Sequence, residues 1–340
     1  MSSRAFITGI SGLELSADER AFIRAERPWG FILFKRNIET PAQVASLVGE
    51  LRVLVGNPDA PVLIDQEGGR VQRLGPPHWP VYPPGAVFGA LYDIEPQLGF
   101  KAARLSSRLI AADLIDLGIT VDCLPLADVP IEGSDAVIGN RAYGTEPGKV
   151  AAIARAVTEG LEQGGVLPVL KHIPGHGRAT ADSHFRLPTV DTARDELDRT
   201  DFAAFQPLAD LPMAMTAHVV FSALDPVHPA TTSATIIRQV IRGVIGFQGL
   251  LMSDDVSMNA LAGSIAERTR AIVNAGCDMV LHCNGKLDEM RDVARETPEL
   301  TGEALNRANR ALASRKAPQP LDPLAVRAEL DALINRVGTA

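Results

Sequence analysis

Asp182 and His184 are the pair in this sequence whose residue types and spacing best suit proton transfer. They lie two residues apart in a stretch whose Pro and Gly content predicts a loop, so their side chains converge if that loop turns. A carboxylate beside an imidazole fixes its tautomer and favours its protonated form, which makes the histidine a general acid and base near neutral pH. The alternative, which the spacing leaves open, is a surface Asp–His pair.

His172 and His176, in the preceding string KHIPGH, are four residues apart, a spacing that on a helix is typical of paired zinc ligands. Pro174 and Gly175 stand between them and instead predict a strand end that turns into a loop. A helical metal pair is therefore not expected. A metal held from the loop remains one hypothesis, and histidines packed at a strand end and bonded to backbone carbonyls remain the other.

Asp254 directly follows the apolar run of GLLMSDD and is the best candidate for a nucleophile. A carboxylate at the carboxyl end of a buried strand can attack an electrophilic carbon. The competing interpretation is that Ser253 or Asp254 caps the next helix. For its neighbour Asp255 we expect a structural role.

The string DQEGGRVQR places a third polar group after an apolar run. Asp65 ends the run, Gly68 and Gly69 permit a tight turn, and Arg73 follows. Together Asp and Arg can bond pairs of sugar hydroxyls, and Arg141 in VIGNRAY is a weaker addition to that set. The alternative is an ion-pair cluster that closes one end of a barrel.

The elements that must position these residues are short apolar runs without polar alternation, as in strands covered on both faces. They occupy residues 5–10, 30–34, 61–65, 119–125, 167–172, 213–220, 249–255 and 278–283.

Segments with helical patterns alternate with these runs. They cover residues 16–27, 40–55, 100–118, 146–165, 233–246, 264–276 and 286–296. Strand–helix alternation with eight strands predicts an α/β fold, a (β/α)8 TIM barrel, or failing that an open doubly wound sheet. We expect residues 1–340 to form one catalytic domain, with extra helices over residues 301–340.

Composition narrows the class of protein. The chain of 340 residues has a formal net charge of −8 and no long Lys/Arg cluster, so nucleic acid and membranes are not expected partners. No signal peptide or membrane-spanning run is visible. Cys123, Cys277 and Cys283 are an odd number and lack the paired spacing of a metal site, which predicts reduced thiols in a cytoplasmic protein. We expect a monomer.

Four strings together resemble the motifs of glycoside hydrolase family 3: KHIPGHGRATADSH, VLIDQEGGRVQR, GNRAYG and GFQGLLMSDDVSM. The resemblance runs from about residue 5 to 285 and is nearest to the single-domain bacterial β-N-acetylglucosaminidases of peptidoglycan recycling. It implies a (β/α)8 barrel. Many members carry a second domain that supplies a Glu acid/base, and this chain is too short for one.

Site residues follow from the same resemblance. It implies that Asp254 is the nucleophile and that His184, paired with Asp182, is the general acid/base. It also implies a set of side chains that hold a terminal N-acetylglucosamine: Asp65, Arg73, Arg141, Lys171 and His172.

The implied activity is that of a retaining exo-β-N-acetylglucosaminidase. It would remove N-acetylglucosamine from muropeptides of the N-acetylglucosaminyl-1,6-anhydro-N-acetylmuramic acid type, through a covalent glycosyl-enzyme. A histidine would take the role usually held by a second carboxyl. No metal ion or organic cofactor is expected.

Three alternatives stay open. A phosphorylase would resolve the intermediate with phosphate, because a histidine repels an anionic acceptor less than a Glu does. A metal-dependent barrel hydrolase would use His172, His176, His184 and Asp254. A non-catalytic sugar-binding barrel would need no nucleophile.

Overall fold

The computed structural model describes residues 3–337 and contains a closed barrel of eight parallel strands. Each strand pairs with the next along the chain, and the last pairs with the first. The strands are β1 (Arg4–Thr8), β2 (Pro28–Leu33), β3 (Val62–Ile64), β4 (Val121–Asp122), β5 (Leu167–Ile173), β6 (Met213–Thr216), β7 (Leu250–Asp255) and β8 (Met279–His282). The predicted (β/α)8 barrel is confirmed.

Helices surround the barrel. They are α1 (Ala17–Glu26), α2 (Pro41–Val55), α3 (Gly85–Ile94), α4 (Pro96–Ile115), α5 (Pro147–Gln163), α6 (Arg194–Arg199), α7 (Asp201–Phe205), α8 (Ile265–Ala275), α9 (Leu287–Glu296), α10 (Gly302–Ala313) and α11 (Pro323–Ile334). Helix starts follow the sequence signals: Ser16 and Glu19 form a capping box at α1, and Thr40 caps α2 with Pro41 at its first position.

Two segments differ from the sequence-based expectation. The strand predicted over 213–220 ends at Thr216, and Val220–Phe221 pairs instead with Thr189–Val190 in a separate two-stranded sheet. The helix predicted over 233–246 is a π-helix at Ile236–Val244. Four of its apolar side chains are buried in this winding too, while Val244 at its end is 38% exposed, so the hydrophobic pattern did not distinguish the two helix types.

Both faces of the barrel strands are buried, as the unbroken apolar runs indicated. Ile7, Ile32 and Leu63 point into the barrel interior cluster, whereas their strand neighbours pack under the helices. Ala308 and Ala311 of α10 join the interior cluster, so α10 packs against the barrel.

The chain after β8 contributes α9, α10 and α11. Arg327 of α11 lies over the Tyr82 ring, 4.5 Å from its centroid, and Tyr82 donates to Asp113 of α4 at 2.6 Å. Cys123, Cys277 and Cys283 are free and buried. Within residues 3–337, no helix is long and apolar enough to cross a membrane.

Candidate active site

A cavity lies at the carboxyl ends of the barrel strands, where parallel barrels place their active sites. Every site residue predicted from the sequence lines it: Asp65, Arg73, Arg141, Lys171, His172, Asp182, His184 and Asp254. These side chains are up to 189 positions apart in the chain, from 65 to 254, and the barrel brings them to one place.

Asp65 follows β3 and accepts hydrogen bonds from two cations. Lys171 Nζ donates to Oδ1 and Arg73 Nη2 donates to Oδ2, each at 3.0 Å. Burial raises the pKa of Asp65, but the two cations outweigh it and hold the pKa well below its usual range. Asp65 is therefore a fixed anion.

The turn between Asp65 and Arg73 needs glycine. Gly68 has a φ of 94° and Gly69 a φ of 57°, a region that favours glycine. A Cβ added to Gly68 would clash with the carbonyl oxygen of Pro83. The predicted tight turn is present, and it returns Arg73 to the Asp65 carboxylate.

Glu67 connects Lys171 to the third cation, Arg141, and the sequence analysis missed it. Arg141 donates to Glu67 through Nε at 2.9 Å and Nη2 at 2.8 Å, and Lys171 Nζ lies 2.6 Å from Oε1. All three side chains are at most 10% exposed. Burial raises the pKa of Glu67, but Arg141 and Lys171 lower it to about 2. The string DQEGGR carried the signal, because a carboxylate two residues after a strand-end Asp returns to the same face.

Irregular strand pairing explains why adjacent residues share the cavity. The β5–β6 register shifts between Leu170 and Ile173, and the consecutive Lys171 and His172 both line the cavity. In a regular strand, neighbouring side chains would point to opposite faces. The β7–β8 register shifts in the same way after Met252.

Asp128, which the sequence analysis also missed, orients both histidines of the HIPGH string. His172 Nδ1 donates to Asp128 Oδ2 at 2.7 Å, and the His176 backbone N–H donates to Oδ1, also at 2.7 Å. Burial raises the pKa of Asp128, but His172 more than offsets this and lowers it to about 2. His172 thus keeps Nε2 for other contacts.

His176 is packed inside the protein at 3% exposure and does not line the cavity. Its Nε2 lies 3.0 Å from Ser183 Oγ. Burial, reinforced by His172, lowers the pKa of His176 to about 4, so the ring is neutral at pH 7. The packed interpretation of this histidine is the one that the structure supports.

No metal-ligand set is formed by the part of the chain that the structure describes. Across residues 3–337, no three His, Cys, Asp or Glu side chains are grouped so that they could hold a metal ion. The first two histidines of the metal-hydrolase alternative are bonded to Asp128 and Ser183, as described above.

Asp182 and His184 form the predicted pair. Asp182 Oδ1 accepts from His184 Nδ1 at 2.7 Å and from the His184 backbone N–H at 2.8 Å. Nδ1 is therefore engaged, and Nε2 is the ring nitrogen that can exchange a proton with a ligand. Asn259 Nδ2 donates to the His184 carbonyl oxygen at 3.1 Å, which ties this loop to the segment after β7.

Asp254 faces the same cavity from the end of β7. Burial raises the pKa of its carboxyl, but His218 and His172 outweigh burial, and the pKa lies below its usual value. The residue is a carboxylate at neutral pH. It does not cap a helix, since the cap of the next helix, α8, is Ser264, ten residues later.

Asp255 is structural, as expected. Its carboxylate accepts from Ser257 Oγ at 2.6 Å, the Ser257 N–H at 3.0 Å and the Cys283 N–H at 3.1 Å. Ser253 Oγ accepts from the Leu281 N–H at 3.0 Å and so joins β7 to β8. Neither side chain is free to react.

This combination is suited to glycosidic bond cleavage. The Asp254 carboxylate and the carboxylate-oriented His184 line a cavity that also contains Arg73, Arg141 and Lys171. These three cations are held in place by ion pairs with Asp65 or Glu67. A nucleophile, an acid/base and preorganised donors are the parts that a retaining glycosidase needs.

Comparisons with known proteins agree with this chemistry. A model of the glycosyl hydrolase family 3 N-terminal domain matches residues 7–314. A β-hexosaminidase from Alkalilimnicola ehrlichii is 39% identical over 280 residues, 81% of this chain and 79% of the relative. A β-hexosaminidase from Bordetella avium is 34% identical over 313 residues, 91% of this chain and 88% of the relative.

Solved structures give the same result. NagZ from Neisseria gonorrhoeae, in complex with N-trifluoroacetyl-D-glucosamine, aligns with a TM-score of 0.84 and 31% identity over 99% of this chain and 98% of that one. A family 3 β-N-acetylglucosaminidase from a Paenibacillus species aligns with a TM-score of 0.83 and 32% identity, covering 98% of this chain and 66% of that one. This chain belongs to glycoside hydrolase family 3 and is a glycoside hydrolase of the β-hexosaminidase type.

Proposed function

We propose that this protein is a retaining exo-β-N-acetylglucosaminidase that removes terminal N-acetylglucosamine from peptidoglycan-derived muropeptides. The observation that carries the mechanism is that Asp254 and His184 line one cavity while Asp182 holds His184 by Nδ1. The carboxylate and the free imidazole nitrogen supply the two functions of a double-displacement reaction.

In the first step, the Asp254 carboxylate attacks the anomeric carbon, and the bond from that carbon to the glycosidic oxygen breaks. His184 gives its proton to the departing oxygen. A covalent glycosyl-enzyme results, and Asp254 is suited to form it because its lowered pKa keeps it ionised.

In the second step, neutral His184 removes a proton from water, and the water oxygen attacks the anomeric carbon. The bond to Asp254 breaks and the carboxylate returns. Two inversions at one carbon give net retention. Asp182 stabilises the imidazolium that exists between turnovers, because its carboxylate is bonded to Nδ1.

Asp65, Arg73, Arg141, Lys171 and His172 are proposed to hold the terminal sugar. Supporting this role, Asp65 and Glu67 pair with the three cations of the set, so the donors are in place before substrate arrives. We assign Arg141 to the acetamide carbonyl oxygen. A buried donor built for an amide discriminates strongly against a sugar that lacks it.

The muropeptide substrate rests on likeness to NagZ and to the β-hexosaminidases, together with the sequence resemblance to peptidoglycan-recycling enzymes. The released sugar would be N-acetylglucosamine, and the remaining product would carry the 1,6-anhydro-N-acetylmuramic acid.

One assay tests both the retention of configuration and the specificity for the N-acetyl sugar. Proton NMR of an aryl N-acetyl-β-D-glucosaminide reaction should show the β-anomer first, and the aryl β-glucoside should be turned over far more slowly. An α-anomer formed first would refute retention, and equal rates on the two aryl substrates would refute the N-acetyl specificity. Release of N-acetylglucosamine from the anhydro-muramoyl disaccharide then tests the natural substrate class.

A further inference from the structure

Four hydrogen bonds link the backbone around Asp254 to buried side chains that no step above uses. The Asp254 N–H donates to Thr216 Oγ1 at 3.3 Å, and Thr216 Oγ1 lies 2.8 Å from Thr231 Oγ1. Thr231 Oγ1 lies 2.7 Å from His218 Nδ1, and His218 Nε2 lies 3.0 Å from the carbonyl oxygen of Asp255. Thr216, His218 and Thr231 are fully buried at 0% exposure.

The donor and acceptor of each hydrogen bond in this series can be assigned by starting from its two ends. A carbonyl oxygen only accepts, so His218 Nε2 carries a hydrogen and donates to Asp255. In the tautomer that leaves Nδ1 unprotonated, Nδ1 accepts a hydrogen bond from the Thr231 hydroxyl. Thr216 donates to Thr231 and accepts from the Asp254 N–H. Every donor and acceptor is used once, in one direction.

The series of hydrogen bonds therefore begins and ends on the backbone at Asp254 and Asp255. The first hydrogen bond of the series comes from the Asp254 N–H, and the last goes to the Asp255 carbonyl oxygen, so both ends lie on the same dipeptide. Thr231 has a second acceptor within reach, the Ala217 carbonyl oxygen at 3.0 Å. A hydroxyl has one hydrogen to donate, so in this arrangement Thr231 gives it to the ring, and the Ala217 carbonyl oxygen is the competing acceptor.

The position of these hydrogen bonds matters because the ladder between β7 and β6 ends before Asp254. The regular pairing of β7 with β6 extends only to Met252 and Met215, and the register with β8 is irregular between Met252 and Asp255. Sheet hydrogen bonds alone leave the nucleophile weakly fixed on the β6 side. The side-chain hydrogen bonds continue the attachment past the end of that ladder.

The geometry points to Thr216, Thr231 and His218 as positioning residues: a hydrogen-bonded clasp that fixes the backbone of Asp254 and thereby aims its carboxylate at the anomeric carbon. This inference rests on the proposed function, in which Asp254 is the nucleophile. The clasp touches no substrate. It acts in both steps, because Asp254 is the attacking group in the first and the leaving group in the second.

Thr231→Val tests the clasp with almost no change in side-chain shape, and Thr231→Ser restores the hydroxyl. For Thr231→Val we expect kcat to fall about 10-fold or more, since small displacements of a reacting group are costly. KM and the inhibition constant for free N-acetylglucosamine should stay within about two-fold, because the residues proposed to hold the sugar are untouched. Thr231→Ser should recover most of kcat.

Thr158→Val is the matched control. Thr158 is a threonine of α5 that is 1% exposed and donates to the Ala154 carbonyl oxygen of its own helix, not to a clasp residue. It should keep kcat unchanged. If Thr231→Val keeps the wild-type kcat, or if both valine variants lose kcat equally, the clasp is refuted. A rise in KM with unchanged kcat would also refute it.

Two further measurements keep the inference testable whatever the stability of the variants. Nitrogen-15 NMR of the wild-type enzyme should show His218 with Nε2 protonated and Nδ1 unprotonated, and the opposite tautomer would overturn the assignment. Asp254→Asn distinguishes a failure of the clasp proposal from a failure of the proposed function. An inactive Asp254→Asn with a fully active Thr231→Val overturns only the clasp, whereas an active Asp254→Asn overturns the proposed function and the clasp together.

Discussion

Glu67 and Arg141 form a buried bidentate ion pair, with Nε 2.9 Å from Oε2 and Nη2 2.8 Å from Oε1. Lys171 shares the same carboxylate and also reaches Asp65. The side chains proposed to bind the sugar are thus held by a residue that need not touch it. A paired, desolvated cation keeps its geometry without substrate, which lowers the reorganisation needed on binding.

Glu67→Gln should weaken both the fold and the sugar site. The amide leaves Arg141 and Lys171 buried with less compensating charge, which we expect to lower the unfolding free energy by about 3 kcal/mol. KM for an aryl N-acetylglucosaminide should rise, because Arg141 loses one of its two fixed bonds to residue 67. Urea unfolding and steady-state kinetics measure the two effects.

Asp195→Asn is the control for that change. Asp195 pairs with Arg199 on the surface, where the two side chains are 76% and 70% exposed. Such a pair contributes well under about 1 kcal/mol, so stability and KM should both be unchanged. A Glu67→Gln protein as stable as Asp195→Asn would contradict the importance of the buried pair.

Asp254→Ala and His184→Ala should fail in different ways. The first should abolish turnover of every substrate, since nothing else forms the covalent intermediate. The second should slow the first step only slightly for a nitrophenyl substrate, because nitrophenolate leaves without a proton, but by about 10²–10⁴-fold for a disaccharide. Stopped-flow and steady-state assays on both substrates distinguish the cases.

The second step gives a further readout of His184→Ala. Without a base the glycosyl-enzyme should accumulate, so the aryl substrate should show a burst, and azide should resolve the intermediate faster than water does. Asp182→Asn should show the same pattern more weakly, because it removes the group that orients His184. Equal slowing of both substrates, with neither burst nor azide rescue, would assign the proton transfer elsewhere.

The stability that His176 contributes should be lost as the pH drops from about 6.5 towards 4. His176 has its pKa lowered from 6.5 to about 4 by burial, so the unfolded chain takes up a proton in this range that the folded protein does not. The stability that neutral His176 contributes is present above pH 6.5 and lost as the pH falls, by up to about 3 kcal/mol. Buried His282, whose pKa is also lowered, acts in the same direction.

Carboxylates act in both directions. Burial raises the pKa of Asp122 well above its usual value and also raises the pKa of Asp113 and of Asp201. These groups therefore oppose the His176 effect, and the His176 contribution is read from the difference between variants.

Glu67 and Asp128 have pKa values lowered to about 2 from 4.5 and 3.8, so their contribution is lost mainly below pH 4.5. Urea titrations at pH 7 and pH 5 measure the slope. His176→Gln should remove the His176 part of it, and His228→Gln, at a side chain that is 58% exposed, should not.

Activity should survive exhaustive chelation. The histidines that a metal hydrolase would need are bonded by ring nitrogens to Asp128, Ser183 and Asp182. The prediction is tested by kinetics before and after dialysis against a chelator, together with metal analysis of the purified protein. Stoichiometric zinc whose removal abolishes activity and whose return restores it would show the prediction to be wrong.

The sequence by itself determined the barrel and the residues of its mouth. Unbroken apolar runs indicate strands buried on both faces, and eight of them alternating with helices leave few architectures. Because parallel strands end on one side, Asp65, Lys171 and Asp254 had to meet there despite their separation in the chain. The Asp182–His184 pair was predicted from local spacing, since two residues in a turn meet without long-range help.

Only the tertiary structure decided which partner each polar group takes. Glu67 with Arg141, Asp128 with His172, and Thr231 with His218 are contacts between distant segments, and nothing in the local pattern of either partner specifies the other. The register irregularities that turn adjacent residues into the cavity also depend on neighbouring strands. Hydrophobic periodicity encodes which face of an element is buried, whereas hydrogen-bond pairing is settled by the three-dimensional proximity that burial creates.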